Sequence, residues 1–266
     1  MTPTEPASDR LRTRREPPRY RRVSLRRAAR VSPHLVRVTL AGSELDGLRA
    51  DEPAASVRLL LPAPGADELV MPVWNGNEFL LADGRRPTIR TFTPQRVDPE
   101  ALELDLDVVI HPDGAASAWA EAAVVGAPAA VSGPGRGYEV DRGATAFLLV
   151  GDESAMPAIT QLLEVLPTAT PVRAHIEVAN PDARIDLPHH PEATIAWSDL
   201  PAGGTSGDTL VDTVRRAEIV PGSQVWAAGE AAAMQRIRRH LFEDRGLDRS
   251  LATVRGYWKH GRSEGG

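Results

Sequence analysis

The chain has 266 residues, of which 42% are hydrophobic and 25% are charged, with a formal net charge of −5 and no cysteine. This ordinary globular composition excludes a largely disordered chain, a collagen-like repeat and a coiled coil. No apolar stretch reaches the roughly 20 residues that a transmembrane helix needs, so we expect no membrane insertion. Without cysteine the chain has no disulfides, iron–sulfur ligation, thiolate zinc sites or cysteine nucleophiles, which fits a cytoplasmic setting.

The N-terminal segment is strongly basic although the whole chain is acidic. Residues 10–30 contain ten arginines, whereas the chain has a single lysine, Lys259. Such an arm could bind a phosphate backbone, but an export signal is not favoured, because no apolar core of about 7–15 residues follows it. The favoured interpretation is a solvated terminus, disordered over residues 1–18, that leads into a first strand near Tyr20, with no nucleic-acid partner.

Short β-rich segments with turn residues between them dominate the first half of the chain. Residues 102–110 alternate apolar and acidic side chains, so Asp105 and Asp107 are expected on the polar face of a half-buried strand. One helix, Ala115–Val125, interrupts the strands. The pattern predicts a small antiparallel β-barrel or sandwich. Its strands are expected over Leu35–Leu40, Ser56–Leu61, Val70–Trp74, Phe79–Leu81, Thr88–Thr93, Leu102–Ile110 and Ala129–Ser132.

Strands alternate with helices after the glycine-rich segment 133–137. This alternation predicts a Rossmann-like α/β domain with a parallel, doubly wound sheet. Its strands are expected over Ala146–Val150, Val172–Val178, Thr194–Trp197, Gln224–Ala228 and Leu251–Arg255, and its helices over Pro157–Leu166, Gly207–Arg216 and Glu230–Arg245. We therefore expect two domains, 19–140 and 141–266, after the arm formed by residues 1–18.

Two junctions in the second half are candidates for ligand binding. Apolar strands run into Gly151-Asp152-Glu153 and into Gly229-Glu230, each before a helix. Parallel sheets bind ligands beyond the carboxyl ends of their strands, where a helix start offers free N–H groups. The alternative is a plain turn whose acidic residues favour the helix dipole. Neither GxGxxG nor GxxxxGK[ST], the commonest glycine-rich phosphate motifs, occurs.

Two segments of the first half suit a phosphorylated aromatic ligand. On a strand, Arg90 and Phe92 of Arg90-Thr91-Phe92-Thr93 would share one face, where a guanidinium can hold a phosphate and a ring can cover a flat group. From the pattern alone, an ordinary surface strand is the favoured interpretation. Residues 111–119 read His-Pro-Asp-Gly-Ala-Ala-Ser-Ala-Trp, so small residues open a helix and leave its N–H groups accessible to a pyrophosphate.

Taken in order, these segments resemble those of the siderophore-interacting proteins, the flavin-dependent ferric-siderophore reductases of the ferredoxin–NADP reductase superfamily. The resemblance spans residues 18–262, and its most specific parts are Gly-Asp-Glu-Ser-Ala-x-Pro-Ala-Ile from Gly151 and Gly-Tyr-Trp-Lys-x-Gly from Gly256. It implies an N-terminal FAD-binding β-barrel and a C-terminal domain that binds NADH or NADPH. It also implies that the substrate is a ferric siderophore.

The resemblance implies roles for individual residues. Arg90 would pair with the FAD phosphate, Phe92 would stack near the isoalloxazine where the family often has tyrosine, and Thr93 would bond the flavin edge. His111 and the turn after it would hold the pyrophosphate, and the two strand ends would line the nicotinamide side of the cleft. The implied cofactor-binding residues are Arg90, Thr91, Phe92, Thr93, His111, Asp113, Gly114, Ala115, Ala116, Ser117, Trp119, Gly151, Asp152, Glu153, Gly229, Glu230, Tyr257 and Trp258.

A basic pocket for an acidic siderophore is implied as well. Arg58 is a candidate because many family members carry lysine at its position, and an arginine keeps the charge but changes the geometry. For Tyr257 and Trp258 the alternative is packing against the flavin domain, and for His260 it is a solvated side chain. The implied substrate residues are Arg58, Lys259, His260 and Arg262.

The expected reaction is the reduction of Fe(III) in a siderophore by NAD(P)H through the flavin, with no general acid or nucleophile. Two other functions stay open, namely a flavin reductase with another acceptor and a nucleic-acid-binding module that uses the basic arm. Glu177, at the end of the second parallel strand, would disfavour NADPH if it faced the ribose. No resident metal is expected, because His189 and His190 are adjacent on a proline-flanked loop and rarely converge on one ion.

Overall fold

The first half of the chain forms an antiparallel sheet and a small hairpin. The computed structural model describes residues 19–112, 114–122 and 124–260. The elements of this half are β1 (Tyr20–Ser32), β2 (Leu35–Ala41), β3 (Val57–Leu61), β4 (Val73–Trp74), β5 (Phe79–Leu80), β6 (Thr88–Phe92), β7 (Pro94–Asp98), β8 (Glu103–Val109), α1 (Ala115–Ala122) and β9 (Pro128–Ser132). Seven strands pair in the order β6-β3-β9-β1-β2-β8-β7, and β4 pairs only with β5.

The seven-stranded sheet is barrel-like, and its two edge strands follow each other in the chain. β6 ends at Phe92 and β7 begins at Pro94, so Thr93 alone separates the two edges. The hairpin β4–β5 covers part of the outer surface, where Phe79 meets Tyr20 edge-to-face at 5.3 Å. The antiparallel barrel expected from the sequence is therefore confirmed. Its interior is filled by buried aliphatic side chains such as Leu25, Val38, Leu40, Leu59, Leu104 and Leu106.

The second half forms a parallel sheet with helices on both faces, as the sequence predicts. Its elements are β10 (Phe147–Asp152), α2 (Met156–Val165), β11 (Val172–Val178), β12 (Ala193–Asp199), α3 (Asp208–Arg216), β13 (Gln224–Glu230), α4 (Ala231–Arg239) and β14 (Ala252–Trp258). The strands lie in the order β12-β11-β10-β13-β14, and all pairs are parallel. One face packs on α2 and also on Leu35 and Ala54 of the first half, whereas the other packs on α3 and α4.

The arginine-rich segment is a central strand from Tyr20 onward. β1 pairs with β2 on one side and with β9 on the other. Arg26 and Arg27 both reach Glu103, with N–O distances of 2.8 and 3.3 Å. Acidic side chains of the same barrel therefore engage these two arginines. Residues 1–18 of the expected arm lie outside the described residues.

The acidic residues of β8 form the polar face of the strand as expected, but this face is buried too, which corrects the expectation of a half-buried strand. Asp105 and Asp107 are 7% and 4% exposed. Asp107 accepts two hydrogen bonds from Arg37, at 2.7 and 2.8 Å, and Asp105 accepts one from Arg96 at 3.1 Å. The alternation in the sequence reports the two faces of the strand correctly. The outward face is covered because arginine side chains from neighbouring strands lie over it.

Several boundaries differ from the expected ones. The helix α1 ends at Ala122 instead of Val125, and α4 ends at Arg239 and continues as a π-helical turn. The strand β7 was not expected, because its sequence Pro-Gln-Arg-Val-Asp has little apolar periodicity. The last strand extends to Trp258, so Tyr257 and Trp258 belong to the sheet. None of the helices formed by described residues is both long and apolar enough to span a bilayer.

Candidate functional site

The edge of the barrel at β6 carries the Arg-x-Phe-Thr segment. Arg90 lies opposite Leu59 on β3 and Phe92 lies opposite Val57, so the two side chains share one face of the sheet. Burial lowers the pKa of Arg90, and its guanidinium donates to the backbone oxygen of Ile89 at 2.7 Å. A cation held in a half-buried position at a barrel edge is suited to an anionic ligand.

Arg58 lies on the other face of the same strand pair. It is directly opposite Thr91, whereas Arg90 is opposite Leu59. Arg58 is exposed, and its charge acts on the hydroxyl of Tyr20 on the outside of the barrel. The fold therefore separates Arg58 from the face shared by Arg90 and Phe92, and its substrate role stays a prediction.

The turn before α1 is closed by side-chain contacts. Ser117 is buried, and its Oγ accepts from the backbone N–H of His111 at 3.2 Å and donates to the oxygen of Val109 at 3.1 Å. A Cβ at Gly114 would lie 2.6 Å from both the His111 ring and Ser117 Oγ, so only glycine fits. The first intrahelical bond runs from Ala118 N to Gly114 O, so the N–H groups of residues 115–117 have no acceptor within the helix. Asp113 lies outside the described residues.

The carboxyl ends of the parallel strands meet at Asp152. Its Oδ1 accepts from the backbone N–H of Ser154 at 3.0 Å, and its Oδ2 accepts from Glu230 N at 2.8 Å and from Trp258 Nε1 at 2.7 Å. Burial raises the pKa of this carboxyl, and the hydrogen bonds that it accepts oppose that shift. Gly151 is also required here, because a Cβ would lie 2.4 Å from Ala155 Cβ.

The other acidic residues at these strand ends accept hydrogen bonds from backbone N–H groups. Glu153 accepts from Ala179 N at 2.6 Å, and Glu230 accepts from Ala233 N at 2.8 Å as the N-cap of α4. Glu177 accepts from Gly207 N at 2.6 Å and from the Thr209 hydroxyl, at the start of α3. Glu177 is 3% exposed and both of its oxygens are engaged, so it holds α3 in place instead of facing an open ribose site.

The last strand joins the two halves of the molecule. Burial raises the pKa of Tyr257, while hydrogen bonds between its side chain and those of Thr93 and Arg255 oppose this shift. Arg255 in turn donates to the backbone oxygens of Ala54 and Gly137 at 3.2 and 2.7 Å. The barrel edge at Thr93 is thus connected to the parallel sheet. The sequence reasoning missed Arg255, whose only local signal is a charged residue within a predicted strand.

The basic C-terminal residues follow directly after this strand. Trp258 is 37% exposed and meets the His260 ring edge-to-face at 6.3 Å. Lys259 and His260 are exposed, and the backbone N–H of His260 lies 3.4 Å from Glu230 Oε1. These two predicted substrate residues therefore lie at the strand ends beside Asp152, and Arg262 is outside the described residues.

Two family models match almost the whole chain. The siderophore-interacting FAD-binding domain matches residues 24–138, and the siderophore-interacting protein model matches residues 144–261. The crystal structure of a siderophore utilization protein from T. fusca is 35% identical with a TM-score of 0.80, over 92% of this chain and 95% of that one. This chain belongs to the siderophore-interacting protein family. FAD is accordingly the cofactor of its N-terminal half.

More distant relatives agree with this assignment. The ferric vibriobactin reductase ViuB of Vibrio cholerae is 26% identical over 238 residues, which cover 88% of this chain and 87% of ViuB. The ferredoxin reductase in carbazole 1,9a-dioxygenase is 14% identical with a TM-score of 0.64, over 91% of this chain and 70% of that one. At this identity the second likeness concerns the fold alone, and it agrees with the two-part architecture of ferredoxin reductases.

The described residues of the barrel are suited to FAD. Arg90 offers a half-buried cation, and Gly114 keeps the start of α1 free of a side chain. The indole Nε1 of Trp119 is buried without a hydrogen-bond partner among the described residues. A buried donor of this kind costs about 1–3 kcal/mol when it stays unpaired, so an acceptor supplied by a ligand would satisfy it.

Proposed function

We propose that this protein is an oxidoreductase that uses NADH or NADPH to reduce Fe(III) held by a siderophore, and that it thereby releases Fe(II). The observation that supports this most directly is the meeting of two ligand-suited surfaces at one strand. Through Tyr257 and Trp258, β14 contacts both Thr93 at the barrel edge and Asp152 at the ends of the parallel strands. Electron transfer between two bound ligands requires such proximity.

The residues of the barrel would bind and orient the cofactor. Arg90 would neutralise a phosphate, and the N–H groups at the start of α1 would receive the pyrophosphate. Phe92 would cover one face of the flat ring, and the missing hydroxyl relative to tyrosine leaves this stacking surface intact. When bound, FAD supplies the conversion between two-electron hydride transfer and one-electron transfer.

The residues at the strand ends would bind the other two reactants. The open side of the sheet beyond β10 and β13 would receive the nicotinamide, in the position where parallel sheets bind ligands. Lys259 and His260 are exposed beside it and would attract an acidic siderophore. Each NAD(P)H loses a hydride, which carries two electrons, so two Fe(III) ions become two Fe(II) ions and NAD(P)⁺ and a proton are formed.

Reduction is expected to release the metal because of ligand preference. Hard oxygen donors such as those of siderophores bind Fe(III) far more tightly than Fe(II). The protein therefore needs only to deliver electrons, and no acid, base or nucleophile has to break a covalent bond. The proposed setting is the cytoplasm, which supplies reduced nicotinamide.

The test is anaerobic turnover of the FAD-loaded protein with a panel of ferric siderophores and a chelator that reports Fe(II). We expect two Fe(II) per NAD(P)H oxidised and a rate that depends on the siderophore. NADH and NADPH are compared in parallel. Both carboxylate oxygens of Glu177 bond the start of α3, so this residue does not indicate which nicotinamide is used. Turnover that ignores every ferric siderophore but continues with free flavin or a protein acceptor would overturn this proposal in favour of a flavin reductase.

A variant pair tests the cofactor site. R90A is expected to weaken FAD binding by about tenfold or more, because it removes a charge-assisted contact to phosphate. R85A is the matched control, since Arg85 is exposed and pairs with Asp83 just before β6. Equal FAD affinities of the two variants, measured by flavin fluorescence on titration of the apoprotein, would contradict the role of Arg90.

A further inference from the structure

The Asp152 carboxylate collects hydrogen bonds from three separate strand ends. Ser154, just after β10, donates its backbone N–H at 3.0 Å and its hydroxyl at 2.5 Å. Glu230, at the end of β13, donates its backbone N–H at 2.8 Å, and Trp258, at the end of β14, donates its indole N–H at 2.7 Å. Four donors therefore converge on one buried carboxylate, and none of its oxygens lacks a partner.

The backbone beside Asp152 leaves room for this carboxylate because Gly229 has no side chain. Gly229 has φ +154°, and a Cβ there would lie 2.5 Å from Asp152 Oδ2. The register of β13 against β14 also shifts between Gly229 and Glu230, so that Glu230 pairs with Trp258. This irregularity brings the Glu230 N–H and the Trp258 indole to the same oxygen.

The two aromatic residues of β14 anchor to different halves of the molecule. The side chain of Tyr257 lies close enough to that of Thr93 at the barrel edge to oppose the rise in the pKa of Tyr257 that burial causes, and the Trp258 indole donates to Asp152 in the parallel sheet at 2.7 Å. Lys259 and His260 follow at once, and the His260 ring lies 6.3 Å from the Trp258 ring. The position of these basic residues therefore depends on where the indole is held.

We propose that Asp152 is a positioning residue, whose carboxylate fixes the Trp258 indole and so holds Lys259 and His260 at the cleft where the acceptor binds. In this assignment Asp152 acts through Trp258 and does not contact the nicotinamide, in contrast to the role that the family resemblance implies. The bond between Asp152 and Trp258 does not depend on which reaction the protein catalyses. Its effect on siderophore binding rests on the proposed function.

The first test measures anchoring in the full chain without FAD or substrate. W258F removes the indole N–H and keeps an aromatic ring, and D152N keeps the shape of the side chain but presents an amide to donors. Hydrogen exchange at residues 256–260 is expected to accelerate about tenfold in W258F, and adding W258F to D152N should accelerate it by clearly less than tenfold, because the two changes share the bond between Trp258 and Asp152. W74F, on the outer hairpin, is the control tryptophan and should match the wild type.

Unchanged exchange at residues 256–260 in W258F would overturn the anchoring. Trp258 is partly exposed, so this variant decides the question even if D152N does not fold. A double variant with clearly additive effects would also contradict a shared bond. Neither outcome depends on whether the protein reduces iron.

The second test measures the acceptor in the FAD-loaded protein. If the wild type reduces a ferric siderophore, W258F and D152N should both raise KM for it by about fivefold or more, with a smaller change in kcat. A fall in the rate of flavin reduction by NAD(P)H in D152N but not in W258F would show direct contact with the nicotinamide and overturn the assignment. A wild type that reduces no ferric siderophore would refute the proposed function and leave the exchange result standing.

Discussion

At the scale of single residues, the candidate site contains glycines at which an added Cβ atom would clash with its neighbours. Gly229 combines a backbone conformation that L side chains rarely adopt with a close approach to Asp152 Oδ2. Gly151 and Gly114 are confined in the same way, by Ala155 and by the His111 ring. These glycines lie at the ends of β10 and β13 and just before α1, where a side chain would meet neighbouring atoms.

The substitution G229A is expected to lower the free energy of unfolding by about 2–4 kcal/mol, because backbone strain and a clash with Asp152 add together. G203A is the matched control. Gly203 also has a positive φ of 73°, but nothing lies within 4 Å of its would-be Cβ, so only strain of about 1 kcal/mol applies. Chemical denaturation measures both variants, and equal losses would contradict the contact with Asp152.

Because the Tyr138 side chain is buried, we expect the stability of the protein to depend on pH in the alkaline range. Its hydroxyl is buried without a hydrogen-bond partner among the described residues, and burial raises its pKa to about 12. The unfolded chain, with a tyrosine pKa of about 10, releases this proton first, so stability is retained below pH 10 and falls as the pH rises towards 12.

The variant Y138F should therefore lose less stability than the wild type between pH 10 and 12, by about 2 kcal/mol. At pH 7 it should be at least as stable, since the hydroxyl that it removes has no partner among the described residues. Urea unfolding at several pH values measures the difference. A parallel decline of the two proteins above pH 10 would show that Tyr138 does not contribute.

At the scale of elements, β8 combines an apolar inner face with a buried acidic outer face. Arg26 and Arg27 of β1, Arg37 of β2 and Arg96 of β7 cover Glu103, Asp105 and Asp107 of β8. This cross-strand pairing explains why an arginine-rich segment forms a central strand. It ties four strands of the barrel together on the outer surface of the sheet.

The substitution D107N is expected to lower the free energy of unfolding by about 2–3 kcal/mol, because it breaks a two-bond pair whose carboxylate is fully buried. D51N is the control. Arg49 and Asp51 form a similar pair in which both side chains are at least 70% exposed, so water screens the pair and the loss should be much smaller than for D107N. If thermal or chemical unfolding gives similar losses for both, burial of the acidic face does not contribute.

At the scale of the whole molecule, the two sheets share a packed boundary. Leu35, Ala54 and Tyr138 from the first part of the chain join the core between α2 and the parallel sheet. Gln161 of α2 accepts from Ala54 N at 2.8 Å and donates to Pro94 O at 2.5 Å. The residue division expected at 140 and 141 stays a prediction, although all strands of the barrel precede it and all strands of the parallel sheet follow it.

The guanidinium of Arg255 is expected to hold this boundary together. R255A removes donors to three backbone oxygens, those of Ala54, Arg136 and Gly137, and should lower stability by about 2–3 kcal/mol. Calorimetry should also show a broader transition, because the two sheets then unfold less cooperatively. The control R216A changes an arginine that is 81% exposed, and a result equal to this control would contradict the role of Arg255.

The residue pattern alone was enough to predict the architecture and the approximate bounds of most elements. Alternating β-branched segments predicted β2, β3 and β8, and apolar runs alternating with helical periods predicted the parallel sheet and α3, which begins at Asp208, one residue after the expected Gly207. These features are local, because strand and helix periods are set by side chains a few residues apart. The ordered motifs also identified the family, which the matching domains confirm.

The pairing of polar residues that are far apart in the chain became visible only in the folded molecule. Asp152 and Trp258 are 106 positions apart, and Arg37 and Asp107 are 70 apart, so no local period links them. The sequence does not show which side chains will cover an acidic residue. The burial of Asp105, and the hydrogen bonds by which Glu177 holds the start of α3, were therefore not predicted. The physical reason is that burial and hydrogen bonding of a charge depend on strands brought together by the whole fold.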